Sequence, residues 1–148
     1  MAESLLDSTS YRAIRVLAAH KAKLAVVLQE HGLHLGQESM LAQLWREDGL
    51  TQSQLAERLG VSAPAITKVV RGLERKGFVE RSTDDADARV VRVCLTEQAR
   101  ALEGPVTEAW YRVEVAAFAA LTPEQRAAIE RLADAGPVPP PICPRADR

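Results

Sequence analysis

Between Ser62 and Arg81 the chain sets five cations, Lys68, Arg71, Arg75, Lys76 and Arg81, against two carboxylates, Glu74 and Glu80, a local charge of +3. The whole 148-residue chain has a formal charge of −1, so its acid lies elsewhere and any basic surface must be local. Ammonium and guanidinium groups gathered in this way do non-covalent chemistry: they bond phosphate oxygens and, where geometry allows, the edges of bases. On a helical wheel of about 100° per residue, Thr67, Lys68, Arg71 and Arg75 fall within about 60° of Pro64, while Ile66, Val69, Val70 and Leu73 gather opposite. The spacing therefore predicts one helix with a core face and a basic face. Ser62, Ala63, Pro64, Thr67 and Lys68 would meet a groove floor, Ala63 and Pro64 offering apolar contact to a thymine methyl. Arg71 would reach a guanine or a phosphate, and Arg75 a phosphate.

A second group brackets the turn from Ser82 to Ala88, where Arg81, Asp84, Asp87 and Arg89 stand in a stretch with no large apolar residue to bury. Three aspartates beside a phosphate backbone would repel it. That tension resolves if Asp87 pairs with and orients Arg89, sending one guanidinium into a narrow minor groove. Other candidates carry less. His31, His34 and Glu38 are spaced to reach one metal ion, but three such ligands without a cysteine make a weak zinc pattern, and no metal or other cofactor is expected. Cys94 could sense oxidants if its thiol were acidified, yet Cys143 is too distant in sequence to resolve it, so a quiet surface thiol is the expectation. No phosphate-cradling glycine loop, zinc-protease helix or serine elbow occurs, which argues against an enzyme.

The elements that must hold these residues follow from periodicity and caps. Ile14, Leu17, Ala18, Leu24, Ala25 and Leu28 recur at helical spacing in a first helix that ends near Gly32. A second runs from about Gly36 to Gly49 with Met40, Leu41, Leu44 and Trp45 on one face. Thr51 and Gln54 form a capping box for a third, ended by Gly60. Ser62 caps the basic helix, whose Pro64 sits in the first turn where no N–H is needed, and Gly77 ends it. Phe78–Arg81 and Val90–Leu95 read as a β-hairpin, with Val91, Val93 and Leu95 on the buried face and Val90, Arg92 and Cys94 on the wet one. Thr96 opens a long helix kinked at Gly104 and Pro105, its apolar track running from Leu102 to Leu121. Thr122, Pro123 and Gln125 start a last helix that carries Ile129 and Leu132 and stops at Gly136. The proline-rich end reads as a flexible tail. The fold class is mainly α with a small β-wing, a winged helix-turn-helix. No apolar run approaches the length of about 18 residues needed to span a membrane, so a cytoplasmic setting is expected.

The stretch from Gly49 to Ser62, Gly-Leu-Thr-Gln-Ser-Gln-Leu-Ala-Glu-Arg-Leu-Gly-Val-Ser, followed by Leu73-Glu-Arg-Lys-Gly-Phe-Val-Glu-Arg81, resembles the MarR family of bacterial transcription regulators. Asp84-x-x-Asp87-x-Arg89 with Val93-x-Leu95-Thr96 is similar to that family's wing signature, and the likeness spans roughly Tyr11 to Leu132. It implies a homodimer in which the first and last helices intertwine and two recognition helices and two wings read a pseudo-palindromic operator in double-stranded DNA. Ser62, Thr67, Lys68 and Arg71 match recognition-helix positions, and Asp87 and Arg89 the wing-tip pair. Asp85 stands where the family often has proline and Ala88 where it often has a second arginine, so fewer phosphate contacts are expected from this wing. The implied organisation is an N-terminal dimerisation helix over 1–35, a DNA-binding lobe over 36–96, C-terminal dimerisation helices over 97–136 and the tail over 137–148.

The resemblance also implies a repressor released by a small phenolic or carboxylated aromatic ligand held between the dimerising helices and the lobe. Candidate liners are Arg15, His20 and Glu38, with Trp45, Trp110 and Tyr111 as aromatic walls. Two other readings are open: a winged-helix module that binds protein, which the near-neutral charge permits, and a thiol-responsive regulator using Cys94.

Overall fold

The computed structural model describes residues 4–135. The tail over 137–148, Cys143 and the stop at Gly136 lie outside them.

A short 3-10 turn over Leu5–Asp7 leads into α1, Thr9–Glu30, whose first turn is capped by the Ser8 hydroxyl accepting from the Tyr11 N–H. His31 and Gly32 end it, and α2, Gln37–Arg46, follows. A strand the sequence did not announce, β1 over Leu50–Thr51, precedes α3, Gln52–Leu59. Thr51 and Gln54 close the capping box at the start of α3, with bonds of 3.2 and 2.9 Å. Gly60 turns the chain with φ +62°, in the left-handed region where a side chain is strained. After that turn Ser62 caps α4, Ala63–Arg75.

The hairpin strands are β2, Val79–Thr83, and β3, Val91–Leu95. They form a three-stranded antiparallel sheet in the order β1-β3-β2, with Leu50 opposite Val93 and Val79 opposite Leu95. The first hairpin strand thus begins one residue later and runs two further than expected. Val93 and Leu95 are buried as the alternation requires, but Val91, on the same face, is 45% exposed because the hairpin there projects past the core.

The long helix expected after Thr96 is two helices. α5, Glu97–Ala101, is capped by Thr96, and α6, Glu103–Phe118, follows after a break at Leu102. The interruption comes before Gly104 and Pro105 instead of at them. Proline has no N–H and crowds the carbonyl four residues back, which here belongs to Ala101; placing Pro105 in the first turn of a new helix satisfies both constraints. α7, Pro123–Asp134, opens with the Thr122–Gln125 capping box.

One apolar core joins Leu24 and Leu28 of α1, Met40, Leu41 and Leu44 of α2, Leu55 of α3 and Ile66, Val70 and Leu73 of α4. Leu33, Leu50, Phe78, Val79, Val93, Leu95, Ala99, Val106 and Val113 also belong to it. Each fully buried leucine contributes about 1.5–3 kcal/mol, so this cluster fixes how α4 sits against the sheet. The outer helices differ. Ile14 and Leu17 of α1 and Ile129 and Leu132 of α7, expected on buried faces, are 50% to 77% exposed in the single chain.

Candidate nucleic-acid interface

α4 carries out the division its sequence pattern requires. Ile66, Val70 and Leu73 are buried, while Ala63, Pro64, Thr67, Lys68, Arg71 and Arg75 line one open surface depression on the opposite face. Ser62 stands at the head of that face, its hydroxyl accepting from the Ala65 N–H at 3.3 Å. Thr67 is half-buried, and its Oγ1 lies 2.9 Å from the Ala63 carbonyl and 3.0 Å from the Gln52 carboxamide. The Thr67 hydroxyl is therefore committed within the protein, and Gln52, at the head of α3, is brought to the edge of the basic face. Sequence reasoning missed Gln52; its position in the first turn of α3, the helix directly before α4, was the available signal.

The disposition of charge sharpens this picture. Arg58, Arg81, Arg92 and Arg100 each meet a carboxylate, from Glu47, Glu74, Asp84 and Asp48 respectively. Among the described residues Lys68, Arg71, Arg75 and Arg89 make no ion pair, and all four are exposed. Arg81, expected to flank the wing, instead turns back onto α4 through Glu74 at 2.9 Å.

The wing is organised differently from the expectation. Asp87 does not pair with the Arg89 side chain; its carboxylate accepts from the Arg89 backbone N–H at 3.0 Å. Aspartate in a tight turn bonds the nearest backbone donors in preference to a flexible guanidinium. The side-chain pair at the wing is Asp84 with Arg92. Asp84 also accepts from the Ala86 and Asp87 N–H groups at 2.8 and 3.0 Å, and Arg92 donates to the Gly49 carbonyl at 2.9 Å, beside β1. The Arg92 hydrogen bond, then the two backbone N–H groups, hold the Asp84 carboxyl below the ordinary aspartate value. Asp84 closes the loop and Arg92 ties it to the sheet, leaving Arg89 exposed between them.

The residues expected to line a ligand pocket do not converge. Arg15 is exposed on α1, and Tyr111 is exposed on α6 in a shallow patch with Glu108, Arg112 and Val115. Trp45 is a packing residue whose Nε1–H donates to the Ala99 carbonyl at 2.9 Å. Glu38 is buried at the start of α2, accepting from the Gly36 N–H at 2.7 Å and the Ser39 hydroxyl at 3.0 Å; burial pushes its carboxyl above the ordinary value despite those bonds. His20 and Trp110 do meet, with ring centroids 5.9 Å apart, and Phe118 adds a third ring at 5.6 Å from His20. The buried His20 Nδ1 has no partner among the described residues. Phe118 escaped the sequence reading because it lies near the end of α6, past the aromatic pair that drew attention.

His31, His34 and Glu38 do not assemble into a metal site: among the described residues no group of three or more His, Cys, Asp or Glu side chains stands close enough to hold an ion. Cys94 is half-buried, and burial, then the charges of Asp48 and Glu80, push its thiol above the ordinary cysteine value. A reactive thiolate needs the opposite shift, which removes the support for sensing through Cys94. Among the described residues no helix is long and apolar enough to cross a membrane.

Residues 33–91 match the model of the MarR family. The transcriptional regulator AdcR of Streptococcus pneumoniae serotype 2 is 41% identical over 81 residues, covering 55% of each chain. The chain spans about half the length of the sequence relatives it matches. Among solved structures, S. aureus MepR in complex with DNA superposes with a TM-score of 0.77 at 25% identity, covering 86% of this chain and 95% of that one. BpsR of Bordetella bronchiseptica, studied for regulation of its DNA binding by 6-hydroxynicotinic acid, superposes at 0.81 with 21% identity over 91% and 96% of the two chains, a likeness of fold.

Proposed function

We propose, from the match of residues 33–91 to the MarR family model, that this chain is a MarR-type regulator that binds DNA sequence-specifically as a homodimer. The observation that carries the reading is the separation of free from engaged cations: among the described residues Lys68, Arg71, Arg75 and Arg89 stand exposed without carboxylate partners, while Arg58, Arg81, Arg92 and Arg100 are paired within the protein. α4 enters the major groove, with Ala63 and Pro64 against base edges, Lys68 and Arg71 reading or anchoring, and Arg75 on a phosphate. Arg89 enters the adjacent minor groove from the wing tip, which Asp87 shapes. The solved complex of MepR with DNA supports this mode of action.

Pairing is supported by the apolar surface on the outer helices. Leu5, Leu6, Ile14, Leu17, Val115, Ile129 and Leu132 are exposed on the terminal elements, a distribution that a second copy of the chain would cover. The helices before residue 36 and after residue 96 form the dimerisation arm, and the segment between them forms the reading lobe.

The regulator acts as a repressor released by a small aromatic acid. The supporting feature is His20, whose Nδ1 has no partner among the described residues and whose ring lies near those of Trp110 and Phe118, a setting that offers ring contact and one hydrogen bond.

The test is selection of a binding site from a random duplex library, then titration of the selected duplex across salt. Wild-type protein enriches a pseudo-palindrome. Arg71→Ala and Arg89→Ala each weaken binding about tenfold or more and lower the slope of log affinity against log salt where a phosphate is lost. Absence of enrichment, or an affinity indifferent to salt, would point to a protein-binding winged helix and overturn the reading.

A further inference from the structure

Lys76 directly follows the basic helix but turns away from its exposed face. It is the C-cap of α4, and its Nζ donates to the Gly32 carbonyl at 2.7 Å and to Gln37 Oε1 at 2.8 Å. The same Oε1 accepts from the His34 N–H at 3.0 Å, while the His34 carbonyl accepts from the Gln37 N–H at 3.0 Å. Gln37 is only 7% exposed. The other end of its carboxamide lies against α4 itself: a Cβ placed on Gly72 would stand 2.8 Å from Gln37 Nε2, closer than such atoms approach in real proteins.

A glycine inside a helix costs about 1 kcal/mol relative to alanine, so Gly72 in the recognition helix needs a reason. The Gln37 carboxamide supplies one. A lysine held in this corner loses hydration, and that desolvation, with the neighbouring Arg75 charge, draws its ammonium below the ordinary lysine value. The cluster joins the C-terminus of α4 to the turn between α1 and α2, positions 44 residues apart in sequence. Apolar contacts between those elements tolerate sliding. Charge-assisted hydrogen bonds fix distance and direction.

We propose that Lys76, Gln37 and Gly72 form a polar latch that sets the recognition helix against the α1–α2 turn, so that Lys76 is a positioning residue for DNA reading and not a phosphate contact. This rests on the DNA-binding reading above. Where α1 belongs to the dimerisation arm, the latch transmits the spacing of the two arms to the angle at which each α4 meets its half-site.

The experiment uses the full chain, a duplex selected by the wild type, and a scrambled duplex of equal length. Affinities for both are measured across salt for Lys76→Met, Lys76→Arg, Gln37→Leu and the Lys76→Met/Gln37→Leu double variant, with thermal midpoints. Lys76→Met and Gln37→Leu are each expected to lower the ratio of selected to scrambled affinity about tenfold with an unchanged salt slope. The double variant loses less than the sum of the two singles, since both remove the shared Lys76–Gln37 bond, and Lys76→Arg recovers most of the ratio. A general loss of folding would move both affinities together, and Gln37→Leu carries the test if Lys76→Met does not fold. An unchanged ratio in folded variants overturns the latch. So does a slope lowered by about one with equal loss on both duplexes, which would make Lys76 a phosphate contact. If the wild type binds neither duplex, the DNA-binding reading falls, and the latch with it.

Discussion

Asp84 is the residue at which two physical arguments give opposite signs. Simple electrostatics says that removing a carboxylate from a surface facing phosphate should strengthen binding. The structure says that Asp84 closes the wing turn through the Ala86 and Asp87 N–H groups and anchors it through Arg92 to Gly49. Asp84→Ala is therefore expected to weaken DNA binding about threefold to tenfold, since a floating wing must be ordered on binding; a gel-shift titration that shows tighter binding would reject the anchoring role. The pH dependence has a definite sign. The Asp84 carboxyl is depressed below its ordinary 3.8, so its contribution is full above that value and is lost as the pH falls through the lower folded value. Amide protection at Ala86 and Asp87 should collapse in that acidic window. Asp84 and Arg92 were both visible in the sequence, but eight positions and an irregular turn separate them, and no periodicity pairs residues across such a turn.

Helices and their caps are the scale at which local rules suffice. Thr51 with Gln54, Ser62, Thr96 and Thr122 with Gln125 all serve as the caps their sequence contexts require, because a cap is decided within four residues. Ser62→Ala removes the acceptor for the Ala65 N–H and should cost about 1 kcal/mol, read as a lowered thermal midpoint. A midpoint unchanged within error would mean that Pro64 alone fixes the start of α4. Where local rules missed, a neighbour outside the local window decided. β1 is two residues long and exists because Leu50 and Thr51 lie along β3. The break at Leu102 is local in origin, but placing it required weighing the clash of Pro105 with Ala101 against the burial of Val106.

Across the molecule the exposed apolar residues are unevenly distributed. Among the described residues, apart from Val91 on β3, the large exposed hydrophobics all sit on α1, α6, α7 or the turn before α1, and the segment between α1 and α6 is otherwise well covered. On the proposed homodimer, Val115→Asp and Leu132→Asp are each expected to shift the protein from dimer to monomer in light-scattering chromatography while residues 36–96 keep their helical circular dichroism. Operator affinity should then fall steeply, because two half-sites are no longer read by one particle. A variant that remains dimeric would show that its side chain lies outside the interface.

The sequence by itself determined α4, its cap and its two faces, because helical period and capping are short-range and α4 buries one side of a regular pattern. It also determined the pairing of β2 with β3 to within two residues. Tertiary structure alone decided which cations stay free. Arg58, Arg81, Arg92 and Arg100 look no different in sequence from Arg71 and Arg89, yet among the described residues folding brings carboxylates to the first four and none to the last two. It likewise engaged Lys76 with Gly32 and Gln37, and it left Asp87 bonded to backbone in place of the Arg89 side chain. Charge is written in the sequence, but partnership depends on which chain segments folding brings within reach of one another.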